Sequence, residues 1–468
     1  MLKGNIVRFT AGFIAVLVLL GACRKREGFS LPDNYVVFTT DAQGLSEGES
    51  SIQVKVKLSR GTDKEIPLVI KVTEEGAAYG TKYTTSPAVA SGQITLTIPQ
   101  GNNEASFTLN KVAGALFDGT EKLTFELYSS GSPVLIGATK KFTLTFAELV
   151  ATNSAYVIDG GGTTLSNKVF IDLSANRQTP VLRTNWDFGF YSGDASDFKV
   201  ILNATTGMMA KQLNKNDLTQ VTAADTLGFS SIVAYSAFAP DPSQIPFIDF
   251  PDGDLNKTAI GLISATASDN KVYIVNRGFT GIGTSSPARG WKKIRVLRNA
   301  NGGYTLQYAD IASTTFASID IPKDNKYFFK YVSLENGIVP VEPEKTKWDI
   351  AWNYSGFVSN FGAGDAPYLF QDIIFQNRNV QVAKVLNTTK AYASFAEADI
   401  ATLTFSSSAM TIGSDWRTTQ PQVGVKDQQY YIIKDGNNNY YKLKFTGIAD
   451  GGVRGKPSIE YALVKRGA

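Results

Sequence analysis

Histidine is absent from this chain of 468 residues, and Cys23 is its only cysteine. Without imidazole, the usual general base near neutral pH and the commonest transition-metal ligand are both missing. A Ser-His-Asp or Cys-His catalytic site is excluded, as is a zinc site built from Cys and His. No disulfide can form within the chain, so stability must come from packing. Methionine is scarce as well, with 4 residues, and charged residues make up only 19%. The net charge of +4 is weak, no basic helix or interleaved basic and aromatic stripe is present, and nucleic acid is not an expected partner. Carboxylate pairs can serve a glycosidase without histidine. Asp349, Asp372 and Asp415 are candidates by type, but their spacing assembles no nucleophile or metal constellation. The chain is expected not to be an enzyme.

Against these absences stand 42 glycines, 20 tyrosines and 28 phenylalanines. Aromatic and β-branched residues fit pleated, half-buried surfaces, so the composition points to an all-β fold. The chain opens with Lys3 and Arg8 ahead of an apolar run, Ala11 to Leu20, too short for a comfortable membrane span. The run ends in Leu20-Gly21-Ala22-Cys23, which resembles a lipobox. Residues 1–23 are therefore expected to be a lipoprotein signal peptide, with Cys23 lipidated and several acyl chains holding the protein to a membrane. The expected location is the outer membrane, on the cell surface or the periplasmic face. Arg24-Lys25-Arg26-Glu27, at the start of a linker over 24–33, differs from the acidic stretch typical of surface-exported lipoproteins.

Residues 34–148 alternate at period two, as in Ile52, Val54, Val56 and Leu58, with turn residues between the runs. Short strands at this spacing predict an antiparallel sandwich. Glu47-Gly48-Glu49, Tyr79-Gly80-Thr81-Lys82-Tyr83 and Asp118-Gly119-Thr120-Glu121 resemble a Calx-β or related immunoglobulin-like module. The resemblance implies a calcium site at acidic turns, for which Glu47, Asp118 and Glu121 are the candidates, because hard cations need several oxygen ligands. Lys82 stands where such modules carry an acid. The alternative is a spacer that lifts the remainder off the membrane.

From residue 150 onward, blocks recur. Asn167 to Ser174 resembles Asn325 to Ser333, Trp186-Asp187-Phe188-Gly189-Phe190 resembles Trp348-Asp349-Ile350-Ala351-Trp352, and Asp269 to Val275 resembles Asp427 to Ile433. The separations from Asn167 to Asn325, Trp186 to Trp348 and Asp269 to Asp427 are 158, 162 and 158 residues. Two homologous, mostly β domains are expected, at 150–315 and 316–468. The two Trp-Asp pairs are read as structural: the buried indole needs an acceptor, and the carboxylate orders a turn.

The Trp348-to-Trp352 block, Ser414-Asp415-Trp416-Arg417, and the Asp427-to-Phe445 hairpin followed by Ile459-Glu460-Tyr461-Ala462-Leu463 resemble HmuY-type lipoproteins. The resemblance implies a non-catalytic protein that captures haem and passes it to a TonB-dependent outer-membrane transporter. It also implies two axial ligands, histidine or methionine. With histidine absent, the candidates are Met208, Met209 and Met410, although Met209 and Met410 lie 201 residues apart, off the repeat spacing. Tyrosine is another possible ligand, and Asn353 and Tyr354 stand near the position where a family ligand is expected. A different reading is a surface module that binds glycan or protein through Tyr304, Tyr354 and Tyr368 on loops.

Overall fold

The computed structural model describes residues 32–45, 49–113, 115, 117, 120–146, 151, 153–235 and 240–467. Cys23, Glu47 and Asp118 lie outside the described residues. The architecture is nearly all β, as composition and alternation led us to expect. Among the described residues, no helix is long and apolar enough to cross a membrane.

The first ten strands are β1 (Asn34–Phe38), β2 (Ala42–Gly44), β3 (Ser51–Leu58), β4 (Ile66–Glu75), β5 (Tyr83–Ser86), β6 (Gln93–Ile98), β7 (Glu104–Lys111), β8 (Lys122–Ser130), β9 (Val134–Ile136) and β10 (Lys141–Thr145). They form two five-stranded sheets, β5-β7-β3-β1-β9 and β2-β10-β8-β4-β6. In β3, Ile52, Val54, Val56 and Leu58 point inward while Ser51, Gln53 and Lys55 are exposed. That period of two follows from the pleat. The inner faces meet over Phe38, Phe107, Phe125 and Phe142, whose neighbouring ring centroids lie 4.9–6.0 Å apart. Each such fully buried side chain contributes about 1.5–3 kcal/mol. The sandwich is tied to the C-terminal part of the chain: Gln43 Nε2 donates to the carbonyls of Ala175 (3.0 Å) and Asn176 (3.1 Å), and Glu49 pairs with Arg177.

Beyond it come β11 (Asn153–Val157), β12 (Asn167–Asp172), β13 (Arg177–Leu182), β14 (Phe188–Tyr191), β15 (Val200–Leu202) and β16 (Met209–Gln212). A one-turn helix α1 (Phe229–Ile232) and long loops precede β17 (Tyr273–Asn276), β18 (Trp291–Arg298), β19 (Tyr304–Ala309) and β20 (Ala317–Ile321). The chain continues through β21 (Phe329–Ser333), β22 (Gly337–Val339), β23 (Ile350–Asn360), β24 (Asp365–Gln376) and β25 (Gln381–Leu386). It ends with β26 (Arg417–Thr418), β27 (Gly424–Val425), β28 (Gln429–Lys434), β29 (Tyr440–Asp450) and β30 (Val453–Lys465).

Two five-stranded sheets have matching orders, β16-β17-β18-β19-β20 and β25-β28-β29-β30-β11. So do two four-stranded sheets, β15-β14-β21-β22 and β24-β23-β12-β13. In the first of these four, only β20 lies just past residue 315. The other three join strands from well on both sides of it. In β12 with β23, Val169 faces Trp352, Phe170 faces Ala351 and Ile171 faces Ile350. In β14 with β21, Phe188 faces Val332 and Gly189 faces Tyr331. This corrects the expectation of two separate bodies at 150–315 and 316–468: the two stretches are interleaved. A two-stranded hairpin alone is only marginally stable, and lending a hairpin to the other stretch completes a four-stranded sheet.

The register also corrects one spacing. Gly189 and Ala351 are 162 apart, so their partners Tyr331 and Phe170, which are 161 apart, are the equivalent pair. By strand position Lys168 therefore corresponds to Phe329, not to Lys326. Gly189 is small for a reason: a Cβ there would lie 2.7 Å from Ile201 Cγ1 and 3.2 Å from Tyr331 Cε1. The Trp-Asp strands are covered on both faces, since Ile350 to Val358 is buried without interruption.

Candidate functional site

Each Trp-Asp pair forms a corner stitched to the other stretch of chain. The Asp187 amide donates to Val332 O (2.8 Å), and its carboxylate accepts from the Leu334 amide (2.9 Å). The Asp349 amide donates to Ile171 O (2.7 Å), and its carboxylate accepts from the Leu173 amide (2.8 Å). Asn203 Nδ2 then donates to Trp186 O (2.7 Å), as Asn377 Nδ2 donates to Trp348 O (2.8 Å). The structural reading of these pairs is right in kind, but neither indole uses the neighbouring carboxylate. Trp186 Nε1 and Trp348 Nε1 have no hydrogen-bond partner among the described residues. Instead, each indole stands edge-on to a ring of the other stretch: Trp186 to Tyr331 (4.8 Å, 86°) and Trp348 to Phe170 (5.0 Å, 76°).

These rings belong to one cluster, with Phe329, Val341, Leu255 and Ala351, where the two four-stranded sheets meet. Part of the cluster lines an open cavity of about 180 Å³ whose walls include Trp186, Phe329, Trp348 and Phe375. Among the titratable side chains that border it are Glu342, Asp249 and Lys168. Glu342 accepts from the Phe329 amide (2.7 Å) and the Tyr331 hydroxyl (3.1 Å), and burial pushes its carboxyl up to about 7. Asp249 accepts from the amides of Leu202 (2.6 Å) and Ala259 (3.0 Å), and burial raises it to about 7. Lys168 is lowered to about 8, chiefly by desolvation and against the pull of Glu342. Its ammonium lies 4.7 Å from the Phe170 ring centroid and 5.9 Å from that of Trp186. No hydrogen-bond or salt-bridge partner for it exists among the described residues. The cavity shares Gly253, Asp254, Asn377, Arg378 and Ala409 with a polar surface groove of about 380 Å³, which forms its mouth.

The methionines lie elsewhere. Met208 is buried among Phe188, Val200 and Ile260, whereas Met209 is buried among Val233, Tyr235 and Ile248. Met410 is half-buried in a turn beside the mouth, and none of the three lines the cavity. The structure does not bring them to one space where they could face each other across a ligand. Tyr304 and Tyr354 are not on loops but buried in β19 and β23, and Tyr368 is half-buried in β24. The adhesive reading loses its aromatic platform. Tyr354 Oη instead accepts from the Gly283 amide (2.7 Å), and Asn353 is fully buried.

Of the calcium candidates, Glu121 alone lies among the described residues. Glu121 is buried and its carboxylate binds Lys82 Nζ at 2.5 Å, an ammonium where a cation site would need oxygens. Among the described residues, no group of three or more acidic, His or Cys side chains could hold a metal ion. The three carboxylates considered for hydrolysis are separately engaged: Asp349 by Leu173, Asp372 by Arg454, and Asp415 by Lys384 and Lys426.

The residue that composition and spacing missed is Lys168. It is legible as part of the recurring Asn-Lys block, but nothing in that block marks it as bordering a cavity.

A family model described as HmuY protein matches residues 164–461. No curated protein matches the chain. Among solved structures, the apo Calx CBD1 domain is 16% identical over 24% of this chain and 95% of its own, with a TM-score of 0.21. A Bacteroides ovatus protein whose description proposes carbohydrate binding is 13% identical over 61% of this chain and 70% of its own, with a TM-score of 0.19. A two-domain protein of unknown function from Bacteroides fragilis is 10% identical over 39% of this chain and 76% of its own, also at 0.19. At such TM-scores these likenesses carry no argument about fold or function.

Proposed function

Because this chain belongs to the HmuY protein family, we propose that it is a non-catalytic capture protein of the cell envelope whose cargo is haem or a related porphyrin. The single observation that carries this is the family match over 164–461. HmuY is a non-enzymatic binding family, and the absence of histidine agrees with holding a ligand rather than transforming it. Lipidation at Cys23 would tether the protein to the outer membrane, the first sandwich would space it from the lipid, and an outer-membrane transporter would receive the cargo. The matching sheet orders support reading 150–315 and 316–468 as two intertwined copies of one unit.

The donor set does not fit iron held between two thioethers. Met208 and Met209 are buried in different clusters, and Met410 stands apart in a turn. On this reading a porphyrin is held through its ring and edge groups, and the metal adds little. The test is titration of haemin and of iron-free protoporphyrin into residues 24–468, which keep every described residue. Both are expected to shift the Soret band and saturate at a simple stoichiometry with affinities within about tenfold, a difference of 1.4 kcal/mol. Absence of any shift with either compound would refute the cargo assignment.

A further inference from the structure

The cavity where the two four-stranded sheets meet holds a feature that the cargo reading does not use. Burying a charge is expensive unless it is paired, and unsatisfied polar groups in a native interior ask for an explanation. Lys168, half-buried in β12, borders this cavity with two ring faces near its ammonium and Glu342 within electrostatic reach. Neither neighbouring carboxylate bonds the ammonium directly: Glu342 accepts from the Phe329 amide and the Tyr331 hydroxyl, Asp249 from the Leu202 and Ala259 amides. Four buried polar atoms of lining residues, Trp186 Nε1, Trp348 Nε1, Asn353 Oδ1 and Ser355 Oγ, have no partner among the described residues. The equivalent strand position in the other stretch is Phe329, so the ammonium is not a requirement of the fold.

We infer that this cavity is a binding site for a small apolar molecule carrying one carboxylate, with the Lys168 ammonium as its counter-ion. The volume of about 180 Å³ suits one aromatic ring: an apolar cavity of roughly 150 Å³ accepts benzene. A porphyrin needs more room than that, since sites for larger ligands run to about 300–1,000 Å³. The site is therefore separate from the proposed cargo and does not rest on that reading. Trp186, Phe329, Trp348 and Phe375 supply the walls, and entry is past Gly253, Arg378 and Ala409.

The probes are benzoate, benzyl alcohol and benzylamine, titrated calorimetrically into residues 24–468. Benzoate is expected to bind at one site, more tightly than either of the other two. Lys168→Met should weaken benzoate at least tenfold and leave benzyl alcohol unchanged, while Lys168→Arg should stay within about threefold of the parent. Near-ultraviolet circular dichroism checks that each variant is folded. Should Lys168→Met not fold, Ala409→Trp at the mouth decides the matter: it leaves the ammonium in place and should abolish benzoate binding. Benzoate affinity should also fall as pH rises through about 8, where Lys168 loses its proton. The groups facing it favour the same direction: Glu342 and Asp249 gain charge above about 7, and Tyr331 stays neutral, while Asp254 and Arg378 stand at the mouth. Equal benzoate binding by parent and Lys168→Met, no binding by the folded parent, or preference for benzylamine would each overturn the assignment. Haemin titration is scored separately, so benzoate binding without haemin binding would sink only the cargo reading.

Discussion

The two Trp-Asp corners have the same backbone geometry and opposite electrostatics. At the first, Asp187 is fully buried against two guanidinium groups: Arg277 Nε at 2.9 Å and Arg289 Nη2 at 3.0 Å. Arg277 also reaches Glu335, closing a compensated network. At the second, the residue that follows β28 is Asp435, where Arg277 follows β17. Asp349 therefore has Asp172 and Asp435 for neighbours, and burial with these like charges pushes its carboxyl well up. Burial also raises Asp172 and Asp435. The stitch between carboxylate and cross-strand amide is common to both corners, so the fold needs the hydrogen bond. It does not need the charge.

That difference can be broken from either side. The largest effect is expected at the compensated corner. Asp187→Ala strips the partner from two buried guanidinium groups, and loss of one member of a buried pair costs about 3–5 kcal/mol. Urea denaturation should show the midpoint fall accordingly, and an unchanged midpoint would mean the network contributes nothing.

The small residue beside each corner offers an intermediate test. Gly189→Ala places a methyl group 2.7 Å from Ile201 Cγ1, and overpacking of this kind costs about 1–3 kcal/mol. The reverse change, Ala351→Gly, should cost only about 0.5–1 kcal/mol. Comparable losses from the two changes, read as shifts in Tm, would show that the two strands are packed alike.

The smallest effect, and the one with opposite sign, belongs to the acidic corner. Because burial raises Asp349 above its unfolded value, its contribution to stability is present at about pH 4. That contribution is lost as pH rises through the folded value. Asp349→Asn keeps an acceptor for the Leu173 amide and removes the titration. Its stability relative to the parent should therefore improve as pH rises above about 4, the unfolded value. A difference independent of pH would mean that Asp349 is not the group under strain.

Much of this molecule is readable from residues in order. The alternation of Ile52 to Leu58 forecasts a strand with one buried face, and β3 has that burial pattern. The recurring Trp-Asp block points to a duplicated unit and to corners required by the fold. What the block cannot say is which copy a strand pairs with. β12 meets β23 across the chain rather than a strand of its own stretch, and the local sequence is compatible with either. The three-residue adjustment that makes Lys168 equivalent to Phe329 is invisible for the same reason: Asn167-Lys168 and Asn325-Lys326 match letter for letter, while the pleat aligns Phe170 with Tyr331.

Methionine shows the opposite limit. Composition narrows the thioether ligands to Met208, Met209 and Met410, and the fold then buries the first two in different clusters. Adjacent residues in an extended backbone project to opposite faces, so neighbours in the chain became strangers in space.

Period-two alternation and the missing imidazole are local or compositional properties, and they were enough to establish an all-β chain unsuited to histidine-based catalysis. The exchange of hairpins, the cavity between the sheets and the unpaired ammonium inside it arise from contacts across more than a hundred residues. Hydrogen-bond pairing is degenerate between similar strands, and only close packing of the whole body selects among the alternatives.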